Sequence, residues 1–387
     1  YVEKSDYFFL ATPNIKYTEI DFENVNYLTK ERYEESPEIM LEIDDILLAK
    51  DGSTLGTVNI VKYLPSKGTV NSSIAVLRFN KKYFNKYVFY QIKSNYLQNI
   101  INLKKDGAGV PHLFQKDINN FAILSPEYNT QIAIVNFLDG KTAKIDKKIE
   151  LLQSKKKKYQ ELRKTLINEA VTKGLDKNVE LKESGVKWIG KIPKHWDCSA
   201  IKRVTTIPVT DGPHETPELV DNGIPFISAE SIKNNKIDFN KKRGFISLEE
   251  HERFCKKYKP KKGDIYMIKS GATTGNVAFV ETDEEFSIWS PLAVIRVNPK
   301  LLEVKFTFYF MLSQRFFESV QLSWSMGTQQ NIGMNVISNL LLTIPPKSEQ
   351  SSIANYLDEK TNKIDAVITT IDKSIAALKE LRKTLIN

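Results

Sequence analysis

Two short loops rich in glycine and hydroxyl side chains carry the residues best suited to holding a phosphate. Lys50 stands just ahead of Ser53 and Thr54 in KDGSTLG, and Lys269 stands ahead of Thr273 and Thr274 in KSGATTG. A loop of this kind can present backbone N–H groups, hydroxyls and an ammonium to phosphate oxygens. The same residues also read as an ordinary hairpin turn. A third loop, TDGPHETP at 210–217, sets Asp211, His214, Glu215 and Thr216 on a segment stiffened by glycine and proline, as a base reader or simply a tight turn. Gln329, Gln330 and Asn331 offer amides of the type that pairs bidentately with adenine. The matching place in the first half holds Val110, Pro111 and His112, so loops that read bases there would read different ones.

Chemistry of other kinds is missing from the sequence. No GxxxxGK[ST] phosphate loop occurs, and the glycine loops lie between strands rather than ahead of a helix. His112, His195, His214 and His251 have no metal-ligand spacing, and no GxSxG elbow is present. No Asn-Pro-Pro-aromatic or Asp-Pro-Pro-aromatic tetrapeptide of the amino-methyltransferase type is found. The expectation is a recognition chain with no catalytic residue, no metal site and no cofactor of its own.

The elements that must position these loops are announced by a repeat. Residues 134–168 and 353–387 align without a gap at an offset of 219, with 18 of 35 positions identical, and both end in ELRKTLIN. Leu138, Ile145, Leu152, Tyr159 and Leu166 recur every seventh residue, joined by Ile149. Leu357, Ile364, Ile371, Leu378 and Leu385 do the same in the second copy, joined by Ile368 and Ile375. Apolar residues at this spacing predict two long helices paired as an antiparallel coiled coil. The lysines at 155–158 read as a solvated helix face. Around the helices the repeat continues: each half has a strand, the glycine loop and another strand (Val58–Val61, Val277–Val280). Then come a core strand (Ile74–Phe79, Leu292–Val297), an aromatic-rich helix (Tyr83–Leu103, Phe306–Leu322) and an apolar strand ending near Pro126 or Pro345.

The predicted fold class is α/β in the α+β sense: two globular domains separated by two long helices, related by a pseudo-two-fold repeat. The expected divisions are 1–130, helix 131–175, linker 176–192, 193–349 and helix 350–387. The second half opens near Ile192, so the counterpart of its opening would fall about two dozen positions ahead of Tyr1. The first domain is therefore expected to lack its opening segment. At 387 residues two domains are the natural count. A net charge of +9 and pI near 9.1 fit a polyanionic partner. Two cysteines, Cys198 and Cys255, argue against a disulfide framework, and no apolar run long enough to span a membrane occurs.

The paired TxKID…ELRKTLIN helices, Pro126 with Gln131 and Pro345 with Gln350, the KWIGKIPKHW linker and the DGPHETP loop together resemble the DNA-specificity subunit of type I restriction–modification systems. The resemblance covers the whole chain. It implies two target-recognition domains, each reading one half of a bipartite site in double-stranded DNA. It also implies helices that set the unread spacer and dock two methyltransferase subunits. Two ATP-dependent restriction subunits would complete the assembly. S-adenosylmethionine, ATP and Mg would sit on those partners, and the setting would be cytoplasmic and nucleoid-associated. A helix of about 35 residues spans roughly 50 Å, the length of roughly a dozen base pairs. Two other readings are a protein-interaction scaffold without a DNA role, and the specificity half of a fused restriction–methylation enzyme.

Overall fold

The computed structural model describes residues 2–103, 111–326 and 330–387, and these divide into two units. The first comprises residues 1–154 with 371–387, and the second residues 155–370. In the first unit the β-branched and leucine-rich runs fold as strands: β1 (Tyr7–Leu10), β2 (Asn26–Tyr27), β3 (Ile46–Ala49), β4 (Val58–Ile60), β5 (Lys67–Val70) and β6 (Ile74–Leu77). They form two sheets, β2-β1-β5 with a parallel β1–β5 pair, and the antiparallel β4-β3-β6. Helices α1 (Asn85–Lys93) and α2 (Asn95–Leu103) pack on the second sheet through Tyr87, Val88, Ile92, Leu97 and Ile101.

The second unit repeats this plan and adds to it. Besides three two-stranded pairings of short segments, its strands are β7 (Asp197–Ala200), β8 (Thr210–Asp211), β9 (Ile224–Ile227), β10 (Gly244–Ile246), β11 (Ile265–Ile268), β12 (Val277–Phe279), β13 (Ser287–Ile288), β14 (Leu292–Ile295) and β15 (Leu341–Ile344). One sheet runs β10-β9-β13, again with one parallel pair, and the other runs β8-β14-β11-β12. β7 pairs with β15. Residues 121–125, expected as a strand in the first half, are not in one. Their counterpart β15 gains its ladder from β7, and among the described residues the first unit offers no equivalent partner.

Each aromatic-rich segment, expected as one helix, is two. Ser94 separates α1 from α2, and Ser313 separates Val304–Leu312 from Gln314–Leu322. Both serines hold extended backbone (ψ 153° and 148°), and Ser313 caps the following helix by accepting from the Phe316 N–H at 3.1 Å. Serine competes with the helix for backbone groups, so it starts helices better than it continues them.

The long helices are α3 (Tyr128–Lys173, 46 residues) and α7 (Lys347–Ile386, 40 residues), with α4 (Leu248–Cys255), α5 (Val304–Leu312) and α6 (Gln314–Leu322) between them. Each starts three residues before the predicted helix, and α3 stops at Gly174, whose φ of 77° suits glycine. Their antiparallel register is marked once in each unit. Arg382 Nε donates to Asp146 at 2.8 Å in the first, and Arg163 Nε donates to Asp365 at 3.1 Å in the second. These four residues are equivalent pairs in the repeat. Leu138, Ile145, Leu357, Ile364, Ile371 and Ile375 are buried. Ile149, Leu152, Tyr159, Leu166, Ile368, Leu378 and Leu385 are half-buried. The seam gives way to globular packing at both helix ends: Leu385 and Ile386 join the first unit's core, and Ile167, Ala170 and Val171 join the second's.

Candidate nucleic-acid interface

In both units the glycine loop is tied to the second predicted loop by the same two backbone hydrogen bonds. The Gly52 N–H donates to the Pro111 carbonyl at 3.1 Å, and the Leu113 N–H donates to the Lys50 carbonyl at 2.8 Å. In the second unit Gly271 N–H donates to Gln330 at 3.0 Å, and Ile332 N–H donates to Lys269 at 2.9 Å. Residues separated by about sixty positions are thereby held edge to edge, Asp51 opposite His112 and Ser270 opposite Asn331. Glycine is required in this arrangement. Gly275 holds φ 93°, and a Cβ there would lie 2.9 Å from the Phe317 ring.

The shared frame carries different side chains. His112 Nδ1 hydrogen-bonds to Asp51 Oδ1, and the two groups are about one-third exposed. Burial pushes the Asp51 carboxyl up, but hydrogen bonds with Ser73 and His112 outweigh it and hold the group below its ordinary range. Gln330 and Asn331 are exposed, and Gln329 lies outside the described residues. Ser53 and Thr273 are exposed at equivalent loop tips, with Thr54 half-buried.

Two predicted contact residues are corrected. Thr274 is 2% exposed, and its hydroxyl donates to the Gly271 carbonyl at 2.7 Å, so it closes the loop rather than facing a ligand. Asp211 is fully buried. Lys257 Nζ donates to its Oδ1 at 2.6 Å. Lys269 Nζ lies 3.1 Å and His214 Nε2 3.0 Å from its Oδ2, at angles that make no hydrogen bond. Burial raises the Asp211 carboxyl, and the two ammoniums outweigh it to leave the group below the usual range. Asp211 thus organises three basic side chains. Lys269 is 14% exposed and shares its charge with this carboxylate, whereas Lys50 has no ion pair among the described residues. His214, Glu215 and Thr216 remain exposed on the loop.

Loop 211–215 lines a cavity of about 420 Å³ with Arg253, Lys257 and Tyr258. Gly212 sets its floor, because a Cβ there would lie 2.1 Å from the Ile288 carbonyl oxygen. Arg253 Nη1 lies 2.9 Å from Glu215 Oε1, and the Arg243 guanidinium stacks 4.0 Å above the Trp289 ring. These cations escaped sequence reasoning. α4 and the basic run at 256–262 look like a solvated face until Asp211 shows which way Lys257 turns. The result is a rim of cations, hydroxyls, amides and an aromatic plane, the mixture suited to phosphate positioning and base-edge contact. Among the described residues no cluster of histidine, cysteine and carboxylates could hold a metal ion. No helix among them is long and apolar enough to cross a membrane.

The chain is 26% identical to the type I restriction enzyme MjaVIII specificity subunit of Methanocaldococcus jannaschii, over 90% of this chain and 79% of that protein. It is 21% identical to the EcoBI specificity subunit of Escherichia coli, over 89% and 72%. Among solved structures, a chain from a study of complex assembly and conformational transition in the type I R-M system superposes with a TM-score of 0.73. It is 18% identical, with 98% of this chain and 90% of that one covered. The HsdS subunit from Thermoanaerobacter tengcongensis superposes with a TM-score of 0.51 at 16% identity, covering 98% and 88%. At these identities the structural likeness shows the fold. The family model for the type I restriction modification DNA specificity domain matches residues 3–160 and 193–377, one match for each half of the repeat. The chain belongs to the type I restriction modification DNA specificity family.

Proposed function

We propose that this chain selects the DNA sequence on which a type I restriction–modification complex acts, each unit reading one half of a bipartite double-stranded site. The observation that carries this is the repeated frame with unlike side chains: two loops joined by equivalent hydrogen bonds, bearing Asp51 and His112 in one unit and Ser270, Gln330 and Asn331 in the other. An identical scaffold with different polar groups is what reading two different sequences with one architecture demands. Lys50, Ser53, Thr54, Lys269 and Thr273 position the backbone, while His112, His214, Thr216, Gln330 and Asn331 face base edges, with Gln329 beside them in sequence. The long helices set the unread spacer and dock two methyltransferase subunits, and two restriction subunits complete the nuclease. The chain itself turns over nothing, and S-adenosylmethionine, ATP and Mg belong to its partners.

Co-expression with the methyltransferase subunit, followed by single-molecule mapping of methylated sites, tests the reading. The expected outcome is one bipartite motif with a fixed gap, and no methylation or cleavage by the purified polypeptide alone. A single continuous motif, or turnover by the chain alone, contradicts it. Absence of salt-dependent duplex binding by the complex would instead favour a protein-interaction scaffold.

A further inference from the structure

The two units use the same strand pairing around one place where their side chains have nothing in common. In the second unit Phe226 pairs with Gly244 on one side and Ser287 on the other, and the Trp289 N–H donates to the Ile227 carbonyl at 2.9 Å. In the first unit Phe9 pairs with Asn26 and Thr69, and the Asn71 N–H donates to the Leu10 carbonyl at 2.9 Å. These registers make Arg243 and Trp289 the equivalents of Val25 and Asn71. The framework needs neither the guanidinium nor the indole, since the first unit builds it without them.

What the second unit gains is a braced cation. Trp289 Nε1 donates to the Glu215 carbonyl at 3.2 Å, which fixes the indole plane against the 210–217 loop. Arg243 is exposed, with its guanidinium 4.0 Å from the centre of that ring. Glu230 Oε1 stands 3.7 Å from its Nη1, beyond hydrogen-bond length. Among the described residues the guanidinium donates no hydrogen bond, so its five N–H groups are left for a ligand. A guanidinium stacked on a ring keeps those donors in its own plane, as a fork with a fixed direction. The fork also belongs to the surface already described. The loop that braces the indole carries Asp211, which lies 3.1 Å from Lys269 of the glycine loop, and that loop is tied in turn to Gln330.

We propose that Arg243 reads a guanine in the half-site of the second unit, its fork donating to the O6 and N7 acceptors in the major groove, with Trp289 as the plane that aims it. The assignment rests on the reading of the chain as a DNA-specificity subunit. Phosphate contact is the competing role for an exposed arginine. It needs no fixed plane, because a phosphate accepts from many directions, and it would serve both units alike. Val25 and Asn71 leave the first unit without this group, so the contact belongs to one half-site only.

The test co-expresses the parent, Arg243→Ala and Arg243→Lys chains with the methyltransferase subunit and maps the methylated sites of each. Arg243→Ala should leave the gap and one half of the motif unchanged and make one G·C position in the other half degenerate. Discrimination at that position should fall roughly ten- to hundredfold. Arg243→Lys keeps the charge but not the planar fork, and should relax the same position. The purified parent complex should bind a duplex carrying 7-deazaguanine there about fivefold or more weakly than the natural duplex, whereas the Arg243→Ala complex should not distinguish the two. Three results overturn the proposal while the functional reading stands: an unmoved motif, relaxation at an A·T position, or a loss spread evenly over all sequences with a shallower salt dependence. A parent complex with no bipartite motif overturns that reading, and this proposal with it.

Discussion

Asp211 and Lys93 show how one buried charge can be built into a site or merely tolerated by it. Asp211 looks in sequence like a ligand contact, because an acid just ahead of glycine and proline in a polar loop is usually exposed. Its burial depends on Lys257 and Lys269, which lie 46 and 58 positions away and meet it only in the fold. Lys93 attracted no attention in the sequence, since a lysine at a helix end is ordinary. It is 9% exposed, donates to the Tyr17 carbonyl at 3.2 Å, and lies over the Tyr17 and Phe89 rings at 4.5 and 4.8 Å. Burial, reinforced by Arg382 and Lys62, pulls its amine down to about 8. The unfolded chain keeps that amine near about 10.4, so at neutral pH the folded state bears a charge it disfavours. Stability from this group grows as pH rises from about 8 to about 10.4 and is lost as pH falls back through about 8. Position 312, its counterpart, holds leucine. Lys93→Leu should therefore raise stability at pH 7 by about 1–2 kcal/mol, net of two lost cation–π contacts. It should also flatten the rise between pH 8 and 10 relative to the parent. Urea melts at pH 7 and pH 9.5 measure both, and a destabilised variant with an unchanged pH profile contradicts the assignment.

At the scale of elements, the long helices were the most legible part of the chain and their ends the least. Heptad spacing identifies a seam, and every seam residue is buried or half-buried. Periodicity says nothing about where the seam yields to a globular core, because Leu385 and Ile167 are apolar for either purpose. The repeated strand–loop–strand unit was legible for the same reason as the helices: two copies of one pattern expose what a single copy hides. The helix breaks at Ser94 and Ser313 were not, since the apolar pattern runs through them. Gln131 and Gln350 stood out only by matching positions. Both are fully buried, and each joins the start of a long helix to its domain. Gln350 Oε1 accepts from the Glu303 N–H at 2.6 Å, and Nε2 donates to the Leu301 and Pro345 carbonyls at 3.2 and 2.7 Å. Gln131 repeats this with Phe84, Lys82 and Pro126. Gln350→Leu strands one donor and two acceptors, so it should cost about 2–4 kcal/mol, read as a lowered urea midpoint at unchanged slope. A variant within about 0.5 kcal/mol of the parent would mean that water replaces the amide.

For the whole molecule, the expectation is that the two reading surfaces are separable. Exchanging residues 193–345 for the equivalent domain of a relative should alter one half of the methylated motif and leave the other half unchanged. Changes in both halves, seen by mapping methylated sites, would show that the units are coupled. The division into units has another consequence, which concerns synthesis. The second unit is one unbroken run, residues 155–370, but the first is finished only by residues 371–387. Asn387 Oδ1 accepts from the Asn95 N–H at 2.7 Å, just as Asn168 caps Gln314 in the second unit. On the ribosome, then, the first unit must wait for residues 371–387, which are made after the whole of the second unit, with the core that receives Leu385 and Ile386 open in the meantime. The half made later can close before it. Translation order and folding order run in opposite directions along this chain, and a message cut short after codon 370 would yield one finished unit and one exposed core.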